Sequence, residues 1–330
     1  MRRTVGAGLL LLLLLFLPPW LRAEETNTGG SADAPPQTEQ SVPDGSSDAA
    51  HTVRLWNGSA VETMTAAEYL PGVVRGEMPA AFEEEALKAQ AVAERTYLYY
   101  RMASAPKENH PDADVCTDSN CCTAWLSEAD ARTKWGDKFD RYEARVQQAV
   151  ADTDGQVVLY EGAPIMAVFH SSSAGATAAS GDVWTASLPY LVSVKSPEDA
   201  DSVPNYYSVN TFTAGEFRTI FCKAHPEAKL SGDTAGWIGD VTLTDAGRVA
   251  SARVGGVSVT GKELRSLYGL RSAAFTVEAA GDSVTFRVTG YGHGVGMSQY
   301  GANSLAKEGK TWREILQWYY TGVTIGLYNG

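Results

Sequence analysis

Thr65-Ala-Ala-Glu-Tyr-Leu-Pro-Gly-Val-Val-Arg-Gly-Glu-Met-Pro79 runs directly into Ala80-Ala-Phe-Glu-Glu-Glu-Ala-Leu-Lys-Ala-Gln-Ala-Val-Ala-Glu-Arg-Thr-Tyr-Leu-Tyr-Tyr-Arg-Met-Ala103. The first stretch opens with a capping box, Thr65 as N-cap and Glu68 at N3, so a short helix begins there. It runs through Tyr69, Leu70, Val73 and Val74 and stops before Pro79, whose ring disfavours helical backbone in the preceding residue. The second stretch has the most helical composition of the chain and reads as a helix from Ala80 to about Ala103. Its Leu87, Ala91, Ala93, Tyr97 and Tyr100 are spaced for a buried face. Two helices therefore meet at a rigid junction, and Glu77 sits in it between Gly76 and Met78-Pro79.

Working outward, Thr52–Trp56 reads as a strand ending in the Asn57-Gly58 turn. Gln156–Tyr160 and Pro164–Phe169 flank Glu161-Gly162 as a hairpin. Further strands fit Tyr190–Val194, Ile238–Leu243, Arg248–Val254, Phe275–Ala279 and Val284–Val288. Helices fit Tyr142–Ala151, Ala214–Lys223, Gly261–Leu267, Ser298–Lys307 and Trp312–Tyr320. Strands and helices do not alternate as in a doubly wound sheet, so the expected class is α+β, with mixed helices and mostly antiparallel strands around a substrate cleft.

The chain has 330 residues, 27 basic against 39 acidic, a net charge of −12 and a pI near 4.9. That balance, with no basic stripe, excludes a nucleic-acid partner. Hydrophobic residues at 44% against 20% charged permit a sizeable core. Residues 1–23 carry two arginines, an apolar run from Val5 to Leu17, Pro18-Pro19 and Ala23, the pattern of an export signal. The run is shorter than the ~20 residues that span a bilayer, so both a cleaved signal and a retained membrane anchor stay open. Either places the rest of the chain outside the cytoplasm. Residues 24–50 are rich in Ser, Gly, Asp, Pro and Thr and read as a disordered linker, leaving 51–330 as the folded part.

Several places could carry chemistry. Glu77, shielded at a helix junction, would have a raised pKa suited to general acid work; the plain alternative is a solvated helix end. His110, Cys116, Cys121 and Cys122 lie within thirteen residues, dense enough for a tetrahedral zinc site, although the spacing matches no standard zinc finger. A disulfide is the competing reading, with Cys222 as the distant partner. His170-Ser-Ser-Ser-Ala-Gly175 follows a strand but lacks a nucleophile elbow, so its hydroxyls read as a sugar-binding loop. Gly290-Tyr-Gly-His-Gly-Val-Gly-Met-Ser-Gln-Tyr-Gly-Ala302 fits no phosphate-binding pattern, presents His293 among glycines and enters a helix with Ser298 as N-cap. Gln90 and Arg95 lie on different sides of the long helix, and Arg95 needs a carboxylate partner.

Together, Ala67–Pro79 followed by Glu85–Tyr97, the loop His170–Gly175 with Val183-Trp184 and Pro189-Tyr-Leu191, and Gly292–Ala302 followed by Ile315-Leu316 and Tyr319-Tyr-Thr-Gly322 resemble the stage II sporulation protein D / amidase-enhancer family. The resemblance covers about 52–328 in the family's order. It implies a peptidoglycan lytic transglycosylase, with Glu77 in the catalytic position and Ser172, Ser173, His293, Ser298, Gln299 and Tyr300, with Gln90, Arg95 and His170, as substrate-binding candidates. It implies structural zinc held by His110, Cys116 and one or both of Cys121 and Cys122. Implied partners are peptidoglycan glycan strands, a cell-wall amidase and membrane proteins of an engulfment complex. A non-catalytic enhancer of an amidase and a zinc-dependent amide hydrolase are the other readings.

Overall fold

A computed structural model of the chain describes residues 45–198 and 200–328. The expected export segment and most of the expected linker lie outside the described residues.

The junction forms as its sequence dictates. Glu68 N–H donates to Thr65 Oγ1 at 3.3 Å and Thr65 N–H to Glu68 Oε2 at 2.7 Å, closing the capping box of helix Ala66–Glu77. Met78, ahead of Pro79, takes extended backbone (φ −115°, ψ 138°) and ends the helix. The second helix starts at Glu84, not Ala80. Phe82 N–H bonds the Pro79 carbonyl in a turn, and the Asn303 side chain takes the Glu83 N–H at 2.8 Å, so a tertiary contact holds 79–83 out of the helix.

Helix Glu84–Met102 is buried almost all round, not along one face. Leu87, Ala91 and Ala93 are buried as expected, whereas Tyr97 and Tyr100 are half-buried. Its alanines let four helices, Ala66–Glu77, Phe139–Ala151, Gln299–Lys307 and Trp312–Tyr319, and strand Gln156–Tyr160 close in around it.

Small sheets, mostly antiparallel, complete an α+β fold. Thr52–Trp56 pairs antiparallel with Val61–Thr65 and parallel with Val115–Cys116. Gln156–Tyr160 lies between Thr324–Leu327 and Ala163–Pro164. The expected hairpin strand Pro164–Phe169 breaks after Pro164, and Phe169–His170 instead pairs parallel with Met297–Ser298. Tyr190–Val194 is irregular, its carbonyls at Leu191 and Val194 bonding the Ser180 and Thr177 N–H groups. Helix Glu128–Trp135 and strands Tyr207–Thr213, Val257–Thr260 and Thr324–Leu327 were not expected from the sequence.

A second hydrophobic core gathers Phe217, Phe221, Trp237, Tyr268 and Phe286 between sheets drawn from residues 207–289. Phe217 and Tyr268 stack with centroids 4.7 Å apart. The entry and exit of this lobe are tied by Gly290 N–H donating to the Tyr206 carbonyl at 2.8 Å, so the glycine-rich loop begins at the lobe's exit.

Part of the expected linker belongs to the fold. Asp48 is 2% exposed and accepts from Arg95 Nε at 2.6 Å and Nη2 at 2.7 Å. Arg95 also reaches the Val150 and Gln156 carbonyls. Asp48→Ala strands that guanidinium without its counter-ion and should lower unfolding free energy by about 3 kcal/mol. Urea denaturation checks this; a change below about 0.5 kcal/mol would show that the Arg95 carbonyl contacts suffice.

Candidate active site

Glu77 is half-buried at the C-terminal end of its helix, facing a cavity of 790 Å³. Gly76 explains how it is held. A Cβ at Gly76 would lie 2.5 Å from the Ala124 carbonyl oxygen, so only glycine lets the 120–125 segment lie against the helix. That approach brings the Ala124 N–H to Glu77 Oε1 at 2.5 Å. From the other side, Gln299 Nε2 donates to the Glu77 carbonyl at 2.9 Å. Burial pushes the Glu77 carboxyl above the usual range, opposed by the Ala124 hydrogen bond.

The two loops singled out by the sequence also line this cavity. Their backbones are joined where Ser172 N–H donates to the Tyr291 carbonyl at 3.1 Å and Tyr291 N–H to the Ser172 carbonyl at 2.9 Å. His293 faces the cavity with its ring 5.3 Å from Trp184. Its Nδ1 accepts from Val295 N–H at 3.1 Å, and burial with the nearby Arg265 and Arg248 holds it down to about 4, so the ring is neutral at pH 7.

Of the other expected binding residues, His170 and Gln299 also line this cavity. His170 is buried: Nδ1 donates to the Val295 carbonyl at 3.2 Å and Nε2 accepts from Ser173 Oγ at 2.7 Å. Ser173 N–H and Ser298 Oγ both donate to Glu198 Oε1, and Ser298 Oγ caps its helix by accepting from Gly301 N–H. Ser172, Ser173 and Ser298 are each 1% exposed or less; Ser173 and Ser298 spend their polar groups on His170 and Glu198, and the buried Ser172 hydroxyl meets no partner. Tyr300 packs edge-on to Phe82. Arg95 is the anchor of Asp48, and Gln90 is buried, its Nε2 donating to Glu94 Oε1 at 3.0 Å. Gln90 and Arg95 do not line the cavity.

His110, Cys116, Cys121 and Cys122 converge, their donor atoms all within 4.8 Å of one another. Strand Val115–Cys116 delivers one thiol, and a turn at Asp118, whose carbonyl accepts from Cys121 and Cys122 N–H groups, delivers two. His110 Nδ1 is held by the Ala113 carbonyl at 3.2 Å, leaving Nε2 3.5 Å from Cys121 Sγ and 3.6 Å from Cys122 Sγ. Cys121 Sγ and Cys122 Sγ are 3.9 Å apart, and all four cysteines are free thiols. Cys222 packs against the second core instead. A tetrahedral ion with bonds of ~2.3 Å to sulfur and ~2.05 Å to nitrogen would separate its ligands by about 3.8 Å and about 3.6 Å, so the donor set fits. Lys107 Nζ stands 3.6 and 3.5 Å from the Cys121 and Cys122 sulfurs, a positive charge beside the thiols. Cys121, Cys122, Thr123 and Ala124 also line the Glu77 cavity, so the same loop serves both places.

Two participants were missed in the sequence. Ala124 acts through its backbone N–H, which has no side-chain signature. Glu94, fully buried on the long helix, was legible as a carboxylate directly after the apolar run Ala91-Val92-Ala93. Burial, then the charge of Glu77, pushes its carboxyl far above the usual range. A raised carboxyl contributes stability that is complete below the unfolded value near 4.5 and lost as pH rises through the folded value. Glu94→Gln removes that titration while keeping an acceptor for Gln90. Scanning calorimetry should find that Tm falls less between pH 5 and pH 8 in this variant than in the parent chain. Equal slopes would place the pH dependence elsewhere.

Comparison with known proteins places the chain among relatives. Residues 57–160 match a protein family described as "Stage II sporulation protein". The chain is 41% identical over 267 residues to "Stage II sporulation protein D" of Bacillus subtilis (strain 168), covering 81% of this chain and 76% of the relative. Identity to "Stage II sporulation protein D" of Bacillus amyloliquefaciens is 38% over 269 residues, covering 81% and 75%. "Amidase enhancer" of Bacillus subtilis (strain 168) is 29% identical over 308 residues, covering 78% of this chain and 40% of the relative. With 41% identity over three quarters of that first relative's length, the chain belongs to the stage II sporulation protein D / amidase-enhancer family.

Proposed function

We propose that this chain is a peptidoglycan lytic transglycosylase that cleaves glycan strands during sporulation, exported or anchored by its N-terminal segment. One observation carries the reading. Among the described residues that line the cavity, Glu77 is the one carboxylate. Hydrolytic glycosidases ordinarily place two carboxyls about 5–9.5 Å apart, one of them to attack or to activate water. A cavity with a single raised carboxyl suits a reaction whose nucleophile is the substrate's own C6 hydroxyl. Glu77 would protonate the glycosidic oxygen as the bond to C1 breaks. The resulting carboxylate would then take the C6 hydroxyl proton as that oxygen closes on C1, leaving a 1,6-anhydro muramic end. The Ala124 N–H would steady Glu77 in its ionised form, and neutral His293 with Trp184 would offer a sugar a hydrogen-bonding edge and an aromatic face.

Zinc is the ion that His110, Cys116, Cys121 and Cys122 would hold, and Lys107 would offset the excess negative charge of three thiolates. Four protein ligands leave no open position, which favours a structural role over activation of water. The ion would fix the loop that presents Ala124 to Glu77. The relative named "Amidase enhancer" supports a second reading, a protein that stimulates a cell-wall amidase without cutting glycan itself.

Product analysis separates these readings. Mass spectrometry of purified glycan strands should find ends lighter by one water than hydrolysed ends. Hydrated ends would require a second carboxylate; released stem peptides would indicate an amidase; no product until an amidase is added would indicate an enhancer. Glu77→Gln should reduce cleavage by ~10²–10⁴-fold with the thermal unfolding curve little changed. Zinc should co-purify at about one equivalent, and Cys116→Ser should release it and lower Tm by several degrees. Full metal content and parental Tm in that variant would remove Cys116 from the ligand set.

A further inference from the structure

A second, smaller cavity adjoins the first: His293 and Arg265 line both. It measures 30 Å³, against the roughly 10–15 Å³ that one water needs, so it admits a group the size of a carboxylate. Its wall carries Arg248, Lys262 and Arg265 from the second lobe.

Arg248 is the unusual member. It is 3% exposed, and its Nη2 donates to the Gly292 carbonyl at 2.9 Å, but Nε and Nη1 meet no acceptor. No carboxylate lies within 4.0 Å of Arg248, Lys262 or Arg265 among the described residues, although the chain as a whole is strongly acidic. Asp182 stands on the same cavity wall but is exposed and outside ion-pair distance. A buried guanidinium with idle donors is costly, and a brace for Gly292 alone would not require one. Burial and the neighbouring Arg265 hold Arg248 down to about 10, so it stays charged at neutral pH. The glycine-rich loop is shaped around it: a Cβ at Gly294, where φ is +86°, would fall 2.3 Å from Arg248 Nη1. Arg265 spends its Nε on the Leu270 carbonyl at 3.3 Å, and Lys262 Nζ reaches the Val183 carbonyl at 3.4 Å, so each keeps further donors.

We propose that Arg248, with Arg265 and Lys262, forms an oxyanion site at the edge of the Glu77 cavity that takes a carboxylate carried by a sugar of the bound glycan. The ligand assignment rests on the glycan reading above; the site itself does not. A carboxylate supplies acceptors to Arg248 that backbone carbonyls do not reach. Held there, next to His293, it would fix which sugar lies over Glu77 and so set the register of the strand.

Saturation-transfer NMR on the full chain, with N-acetylmuramic acid and its methyl ester as probes at equal ionic strength, tests this without any turnover. The free acid should bind about tenfold or more tightly than the ester, the scale of a charge-assisted hydrogen bond. Arg248→Gln should abolish that preference. Because Arg248 also holds the Gly292 carbonyl, Arg265→Gln, at a half-exposed position, serves as a second variant and should reduce the preference while retaining the parental circular dichroism. Equal binding of acid and ester, or an undiminished preference in both variants, would overturn the site. Inorganic phosphate binding more tightly than the sugar acid would overturn the glycan assignment in favour of a free anion. Glu77→Gln should bind the acid as the parent does, so sugar-acid binding together with no glycan cleavage would fault the catalytic reading and leave the site standing.

Discussion

At Gly76 the backbone of residue 124 occupies the space that any other residue's Cβ would fill. This close approach joins the parts of the molecule that matter for chemistry. It lets the Ala124 N–H reach Glu77, and it draws the loop bearing Cys121 and Cys122 against the end of the first helix. Trp125 is seated the same way over Gly72, with its Nε1 donating to the Tyr69 carbonyl, and Thr123 Oγ1 lies 3.3 Å from Tyr69 Oη. A side chain at Gly76 would displace backbone, not a flexible side chain, so the acid and the thiol cluster share one mechanical fate.

Charge in this protein is managed by burial. Glu77 and Glu94 are shielded, and both carboxyls rise above the ordinary range. His170 and His293 are held in the neutral form by burial and by the arginines of the second lobe. The cavity thus sets a protonatable acid beside two neutral imidazoles, the sulfurs of Cys121 and Cys122, and the cationic corner at Arg265. Such a site keeps one carboxyl protonatable and places positive charge at one end.

The second lobe has its own core yet is not independent of the site. Its exit strand feeds the glycine-rich loop, and Arg248 returns from the lobe to hold the Gly292 carbonyl. The loop's glycines therefore serve close approach: Gly294 makes room for a guanidinium, not for a phosphate.

Much was legible in the residues themselves. The capping box at Thr65, the stop before Pro79, the Glu161-Gly162 turn and the Ser298 N-cap are local, set by side chains within four residues of the backbone they organise. The density of His110, Cys116, Cys121 and Cys122 announced a cluster because its members are close in sequence. The fate of residues 79–83 and Pro164–Phe169 depended on partners more than a hundred residues away, and that of Tyr190–Val194 on bonds to Thr177 and Ser180 outside any ladder, which no local pattern records. Likewise Arg95 was recognisable as needing a carboxylate, but Asp48 lies 47 residues upstream in a segment whose composition argues for disorder. The serines of both loops read as sugar ligands because their chemistry allows it; the structure buries them and turns the Ser173 N–H and the Ser298 hydroxyl to Glu198. Sequence determined the local backbone and the types of chemistry available. Tertiary structure alone decided which polar groups face the cavity and which are spent on one another, because that depends on desolvation, a property of the whole packed neighbourhood.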